Sequence, residues 1–368
     1  MHIQCIINIY TVFFTTNQNS FIFFLRNSLI FITYHPFKTS FILKDTQTKE
    51  TITLAVAPME GVMDHTMREQ LSLIGGMDYL VSEFVRVTQY PIPTPTFRRL
   101  VPENTNQAKT KYGHPVHTQI LGSNPELMAE SASAAINAGA THIDVNFGCP
   151  AKRVNGHGGG SVLLQDSESL HKIMQSIRSH IPTHTQLSAK IRLGYEDESL
   201  LFDNVAAIEA ANTNTLTIHG RTKKDGYKPP ARWEKIGQIK NNTKMIVVAN
   251  GDITNIESLL KCQSITGCSH FMIGRGSLNN PFIFQDLRAA LDNKEINTRH
   301  EDLIHLFQSY TLKLQEHYDE VATLGRLKQW CGHLRLEFDF IKDNLQELRR
   351  SKSTKEINEK MIEIRARK

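Results

Sequence analysis

The sequence predicts an α/β fold, a (β/α)8 TIM barrel followed by a smaller C-terminal all-α helical domain. Three observations carry this. Eight short apolar runs with β-branched residues alternate with helical stretches from residue 51 to about Asn293. Every run ends at or beside a glycine or a polar side chain. Beyond Asn293 the pattern is wholly helical. A doubly wound open sheet is the structural alternative.

The runs fall at residues 51–56, 79–85, 115–121, 141–146, 187–193, 216–219, 245–249 and 271–273. Helical spacing fills the intervals, for example at 125–138, 167–180 and 200–211. In the tail, Leu324, Leu327, Cys331, Leu334 and Phe338 recur at 3–4 spacing and predict a buried helix face. Lys328 and Arg335 are seven apart and share another face. The predicted division is 1–50, 51–293 and 294–368.

Residues 1–50 differ from the rest. They hold 8 of the 18 Phe, and their first charged side chain is Arg26. No run reaches the ~18 uninterrupted apolar residues of a membrane span, and no secretory cleavage pattern is clear. The expectation is a non-functional extension outside the fold, disordered or from a translation start read too early, with a membrane-touching tail as the alternative.

The chain has 368 residues, 40% hydrophobic and 21% charged, which excludes a disordered or collagen-like polymer. The net charge is +5, and residues 321–368 carry all of that excess, with 12 Lys/Arg against 7 Asp/Glu. A basic end on a neutral body points to a polyanionic partner. The five cysteines are odd in number and form no C-x-x-C pair, which speaks for a reducing cytoplasm rather than a disulfide framework or a zinc site.

A barrel gathers its reactive groups at the C-terminal strand ends. Those ends carry Pro58-Met59-Glu60-Gly61, Glu83, Gln119, Asn146 with Cys149, Lys190 with Arg192, His219, Asn250-Gly251-Asp252 and Gly274-Arg275-Gly276. The last two sets follow strands seven and eight, where barrels bind phosphate, so a phosphorylated ligand is predicted. Lys190 fits two roles, a Schiff-base nucleophile or a fixed cation beside an electron-rich cofactor such as a reduced flavin. Cys149 fits a general acid, a nucleophile or a buried space-filler. The glycine-rich basic loop at 152–160 suits a mobile flap near an anionic substrate.

The motifs AlaProMetGluGlyValMetAsp (57–64), AsnPheGlyCysPro (146–150), LysIleArgLeuGly (190–194), HisGlyArgThr (219–222), AlaAsnGlyAspIle (249–253) and MetIleGlyArgGly (272–276) resemble, in order, those of the tRNA-dihydrouridine synthases. The resemblance covers about residues 51–345. SerGluPheValArg (82–86) and LeuLysGlnTrpCysGlyHisLeuArg (327–335) look most like the bacterial subgroup assigned to uridine 16 of the D-loop.

The resemblance implies a monomeric cytoplasmic enzyme with noncovalent FMN, NADPH as reductant and tRNA as substrate. Hydride passes from the flavin N5 to C6 of the uracil, and Cys149 protonates C5. Met59, Glu60 and Gly61 are expected along the flavin ring, with Gln119 and Lys190 at its polar edge. His219, Asn250, Gly251, Asp252, Gly274 and Arg275 are expected at the ribityl-phosphate end. Glu83, Asn146, Arg192, Lys328, Trp330 and Arg335 are expected to contact tRNA, although Trp330 lies between faces and packing is its alternative. A base stacked in tRNA must be flipped out to meet a flavin, which calls for a positive surface and a pocket. The extension departs from the family pattern, and Phe147 and Gly159-Gly160-Ser161 are read as variations at tolerant places. Competing readings are an FMN barrel acting on a small pyrimidine, a Schiff-base aldolase and a non-enzymatic RNA-binding module.

Overall fold

The computed structural model describes residues 20–25, 28–35, 38–44, 51–295 and 300–367. The chain divides into Met1–Ile52 and Thr53–Lys368. In the first unit, strands Ser20–Leu25, Ser28–His35 and Lys38–Lys44 form an antiparallel meander. The rest of the expectation for residues 1–50, Cys5 included, lies outside the described residues.

In the second unit eight parallel strands close into a barrel. They are β1 (Thr53–Val56), β2 (Tyr79–Val81), β3 (Val116–Leu121), β4 (His142–Phe147), β5 (Gln186–Arg192), β6 (Thr215–His219), β7 (Ile246–Asn250) and β8 (His270–Ile273). Each pairs with its neighbours in sequence, and β8 closes onto β1. All eight runs are strands, within two residues of the predicted ends except at the second. There the strand stops at Val81, because Ser82 Oγ accepts the Gln119 backbone N–H (3.0 Å) and donates to the Glu83 carbonyl (2.9 Å). The chain bends through Ser82–Phe84, and Val85–Arg86 rejoin β3 as a two-residue ladder.

The helices of the barrel region are α1 (His65–Ile74), α2 (Thr94–Leu100), α3 (Pro125–Ala138), α4 (Lys152–Asn155), α5 (Ser167–His180), α6 (Leu201–Ala210), α7 (Trp233–Lys240), α8 (Ile256–Thr266), α9 (Arg275–Asn279) and α10 (Ile283–Leu291). Side-chain caps fix several starts. Asp64, Asn124 and Asp166 accept backbone N–H groups of α1, α3 and α5, and Asn255 with Ser258 forms a capping box on α8.

The C-terminal part is α11 (His300–Gln315), α12 (Glu320–Leu334), α13 (Asp339–Asp343), α14 (Leu345–Arg349) and α15 (Thr354–Ala366). Leu327, Cys331, Leu334 and Phe338 are buried as the spacing predicts, while Leu324 is half-buried. Asp64 ties this part to the barrel: Oδ2 accepts from Tyr318 Oη (2.9 Å) and Arg326 Nη1 (2.7 Å). No helix among the described residues is long and apolar enough to cross a membrane.

Alternate strand residues face the barrel interior. Gln119, Asp144 and Ser188 are register neighbours on β3, β4 and β5, and Asn146 is paired with Lys190 one layer higher. Arg192 and His219 form the next pair. This side of the interior is polar. The other side, Ala55, Ala57, Val81, Val248 and Met272 with Tyr79 against them, is apolar.

Candidate active site

The C-terminal strand ends open into a cavity of about 800 Å³. Thirteen predicted residues line it: Met59, Glu60, Asn146, Cys149, Lys190, Arg192, His219, Asn250, Gly251, Asp252, Gly274, Arg275 and Arg335. Gly61, Glu83, Gln119, Lys328 and Trp330 do not.

Cys149 sits just past β4 on a firmly held turn. Asn146 Oδ1 accepts the backbone N–H groups of Gly148 and Cys149 (2.9 Å each). The Cys149 carbonyl accepts from Ser161 N and Oγ and from Asn155 Nδ2. Burial, helped by the Glu60 carboxylate, pushes the Cys149 thiol up, so it keeps its proton near neutral pH. Gly160 packs directly on it: φ is +69°, and a Cβ there would lie 2.8 Å from the Cys149 carbonyl oxygen. Phe147, Gly160 and Ser161 are fully buried or tightly placed, so these positions are not the tolerant ones that the sequence suggested.

Lys190 projects from β5, and its Nζ donates to Asn250 Oδ1 (3.1 Å). Burial first, then the Arg192 charge, pulls its pKa down to about 8. Arg192 is 2% exposed and spends donors on the carbonyls of Gly148, Thr222 and Gly226 (2.8–3.0 Å). His219 is held neutral by burial and by the surrounding cations, its pKa well below the usual value. Arg221 Nη1 lies 3.1 Å from His219 Nε2. A guanidinium only donates, so Nε2 accepts and Nδ1 carries the proton.

At the strand-seven end Gly251 has φ +120°, and a Cβ would meet His219 Cδ2 at 3.1 Å. Asp252 was expected at the ribityl-phosphate end, and it lines the cavity. Its carboxylate is engaged by the buried Arg221 guanidinium and the Ala231 N–H (2.7 Å), with Arg275 Nη2 at 3.9 Å. A carboxylate repels phosphate, so the side chain acts as counter-ion to these arginines, and any contact of Asp252 with a phosphate falls to its backbone.

The five residues outside the cavity lining are each accounted for. Gly61 turns the first loop at φ +79°. Glu83 accepts the Val62 N–H (3.1 Å) and braces that loop, with burial raising its pKa. Gln119 is fully buried beneath the cavity, bonded to Asp144 and Asn146. Lys328 is half-exposed on α12. Trp330 is 2% exposed, stacked on Phe307, edge-on to Tyr310, and its Nε1 donates to the Leu278 carbonyl (3.2 Å). It is therefore a core residue and not a surface contact, because it stands three after Leu327 and four before Leu334 on the same stripe.

Sequence patterns did not single out three further residues. Tyr227 lies between the Arg192 and Arg275 guanidiniums, 5.2 and 5.0 Å from its ring centroid. His333, from α12, lines the cavity near Arg275 and Arg335. Arg221 lies inside the HisGlyArgThr motif, whose fixed charge was the available signal. No group of three His, Cys, Asp or Glu able to hold a metal occurs among the described residues.

The chain is 40% identical over 302 residues to a tRNA-dihydrouridine(16) synthase of Shewanella oneidensis, covering 82% of this chain and 95% of that one. It is 37% identical to the tRNA-dihydrouridine(16) synthase of Yersinia pestis, covering 82% and 96%. Among solved structures, 2-naphthoyl-CoA reductase in complex with 2-naphthoyl-CoA matches with a TM-score of 0.50 at 10% identity, over 66% of this chain and 50% of that chain, a likeness of fold alone. The sequence model of the dihydrouridine synthases (Dus) matches residues 55–365, and with these relatives it shows that the chain belongs to the dihydrouridine synthase family.

Proposed function

We propose that this protein reduces a uridine of the tRNA D-loop, at position 16, to 5,6-dihydrouridine, using FMN and NADPH. The observation that carries the reading is the protonated, buried Cys149 thiol facing a cavity that also holds Lys190, His219 and Arg275. The family and the named activity of its relatives support the same reading.

The cavity suits a flavin mononucleotide. About 800 Å³ is within the size of common ligand sites. Lys190 presents a cation from the polar wall, matching the electron-rich edge of a reduced ring. His219 Nδ1–H and Arg275 offer donors to a phosphate, and Gly251 and Gly274 line the same cavity without side chains of their own. An FMN held there and reduced by NADPH would supply the hydride for C6 of the uracil.

The protein's own residues complete the addition. Cys149 Sγ gives its proton to C5, so hydride and proton together saturate the double bond, and the thiolate regains a proton from solvent. Asn146 and Arg192 fix the Cys149 turn from both sides, through its N–H groups and the Gly148 carbonyl. Tyr227 extends the cavity wall as an aromatic face for a flipped-out base. Arg335, exposed on the rim, and Lys328 supply charge for phosphates.

Mapping dihydrouridine in tRNA from cells with and without the protein tests this reading. Loss of dihydrouridine at position 16 alone is expected. An unchanged map, or a purified protein that binds no flavin, contradicts it.

A further inference from the structure

We propose that Asp144 is a positioning residue for the reaction: it fixes the direction of the Gln119 and Asn146 amides and, through them, the Cys149 turn. The inference rests on the function proposed above and adds to it the origin of the turn's geometry.

Asp144 is 2% exposed and sits deep inside the polar side of the barrel. Its Oδ1 accepts from Ser188 Oγ, and its Oδ2 accepts from Gln119 Nε2 (2.6 Å). Gln119 Oε1 accepts from Asn146 Nδ2 (2.9 Å). Asn146 Oδ1 then accepts the N–H groups of Gly148 and Cys149 (2.9 Å each). The chain of bonds thus runs from a buried carboxylate to the backbone of the proton donor.

The polarity of both ends is fixed. A backbone N–H only donates. Asp144 only accepts when ionised: burial raises its pKa, and against it the Gln119 and Ser188 bonds and the Lys190 charge favour the ionised form. Turning over the Asn146 amide sets its NH2 against two N–H groups. Turning over the Gln119 amide sets its carbonyl against a carboxylate. Only one orientation of the two amides satisfies every contact, and buried groups left unsatisfied are costly. The register explains why the chain exists: Gln119, Asp144 and Ser188 stand side by side on adjacent strands, and Asn146 is two residues above Asp144 on the same face.

Removing the carboxylate acceptor frees the Gln119 amide and with it Asn146. The Cys149 carbonyl remains held by Ser161 and Asn155, so the turn persists but loses the bonds that aim it. A misplacement of about 1 Å in a reacting group costs about a hundredfold in rate.

The test uses the full chain loaded with FMN, reduced by NADPH without oxygen and then mixed with unmodified tRNA. Flavin reduction and dihydrouridine formation are followed separately. Asp144→Leu is expected to slow dihydrouridine formation about a hundredfold while flavin reduction stays near wild type. Asp144→Asn is expected to keep most of the wild-type rate. The new amide can still accept from Gln119 and donate to Ser188, whose hydroxyl then turns to His142 Nε2, 2.9 Å away.

A second pair of variants holds even if Asp144→Leu fails to fold. Gln119→Glu sets two buried carboxyl groups at hydrogen-bond distance, which share a proton at low pH and repel once both ionise, so the uridine step is expected to fall away as pH rises. Adding Asp144→Asn to Gln119→Glu is expected to restore it, because the new amide donates to the new carboxylate. A wild-type rate in Asp144→Leu, an equal loss in Asp144→Asn and Asp144→Leu, or no rescue in the double variant overturns the proposal. Reduced wild-type enzyme that forms no dihydrouridine overturns instead the function beneath it.

Discussion

The two sides of the barrel interior are built on opposite principles. Along β1, β2, β7 and β8, Ala55, Ala57, Val81, Val248 and Met272 make an apolar wall. Along β3 to β6, Gln119, Asp144, Asn146, Ser188, Lys190, Arg192 and His219 fill the same layers with polar groups. The apolar wall gains stability by removing area from water and has no preferred direction. The polar wall gains little net stability, since each bond replaces one to water, but every group in it points one way. Direction is what the proposed chemistry needs: a thiol aimed at C5, a lysine charge beside the ring and an imidazole with its N–H toward the phosphate end.

Four changes break or sharpen that contrast. Cys149→Ala has the largest expected effect. It is expected to lower dihydrouridine formation by ~10²–10⁴, the usual contribution of a general acid, with flavin reduction intact in rapid-mixing experiments. A hydroxyl on the apolar wall, Val248→Thr, is expected to lower unfolding free energy by up to about 1–3 kcal/mol in denaturant titrations, the full cost applying where the hydroxyl finds no bond to Thr217 or His270 beside it in register. The rate per folded molecule should not change. A neutral outcome in stability would show that the hydroxyl is satisfied there, by Thr217, His270 or water.

The third change concerns pH. Lys190 has a pKa drawn down from 10.5 to about 8, so in the free enzyme its charge is present below that value and is lost as pH rises through it. FMN affinity, measured by fluorescence quenching, is expected to weaken above pH 8. In Lys190→Met it should be weaker throughout and lack that step. The smallest effect lies outside the barrel. Lys328→Ala with Arg335→Ala is expected to raise the Kd for tRNA. The slope of log affinity against log salt should fall by ~0.7–0.9 for each phosphate that is no longer neutralised, with flavin content unchanged.

The contrast also explains what the sequence made legible. Strands and helices followed from periodicity, so α3 and α5 end where spacing and capping residues say they do. The groups at the mouth followed from glycines and charges at strand ends. Directions inside the barrel did not follow. Gln119 at a strand end gives no sign that both ends of its amide are taken by Asp144 and Asn146. Asp252 gives no sign that Arg221, far along the chain, claims its carboxylate. The bend at Ser82 depends on a side chain replacing a backbone partner, which alternation cannot reveal. Trp330 was ambiguous by angle alone, and the rings of Phe307 and Tyr310 decide its place. Gly160 looked replaceable because its contact with Cys149 spans a loop that spacing rules do not describe.

The most direct measurement is a single turnover in the absence of oxygen. Protein loaded with FMN is reduced by one equivalent of NADPH and mixed with tRNA transcript lacking modifications. The flavin is expected to reoxidise on mixing, and one dihydrouridine is expected to appear per flavin, at uridine 16. A flavin that stays reduced in the presence of tRNA, or that reoxidises without forming dihydrouridine, would contradict the central claim that this barrel reduces uridine through its flavin and Cys149.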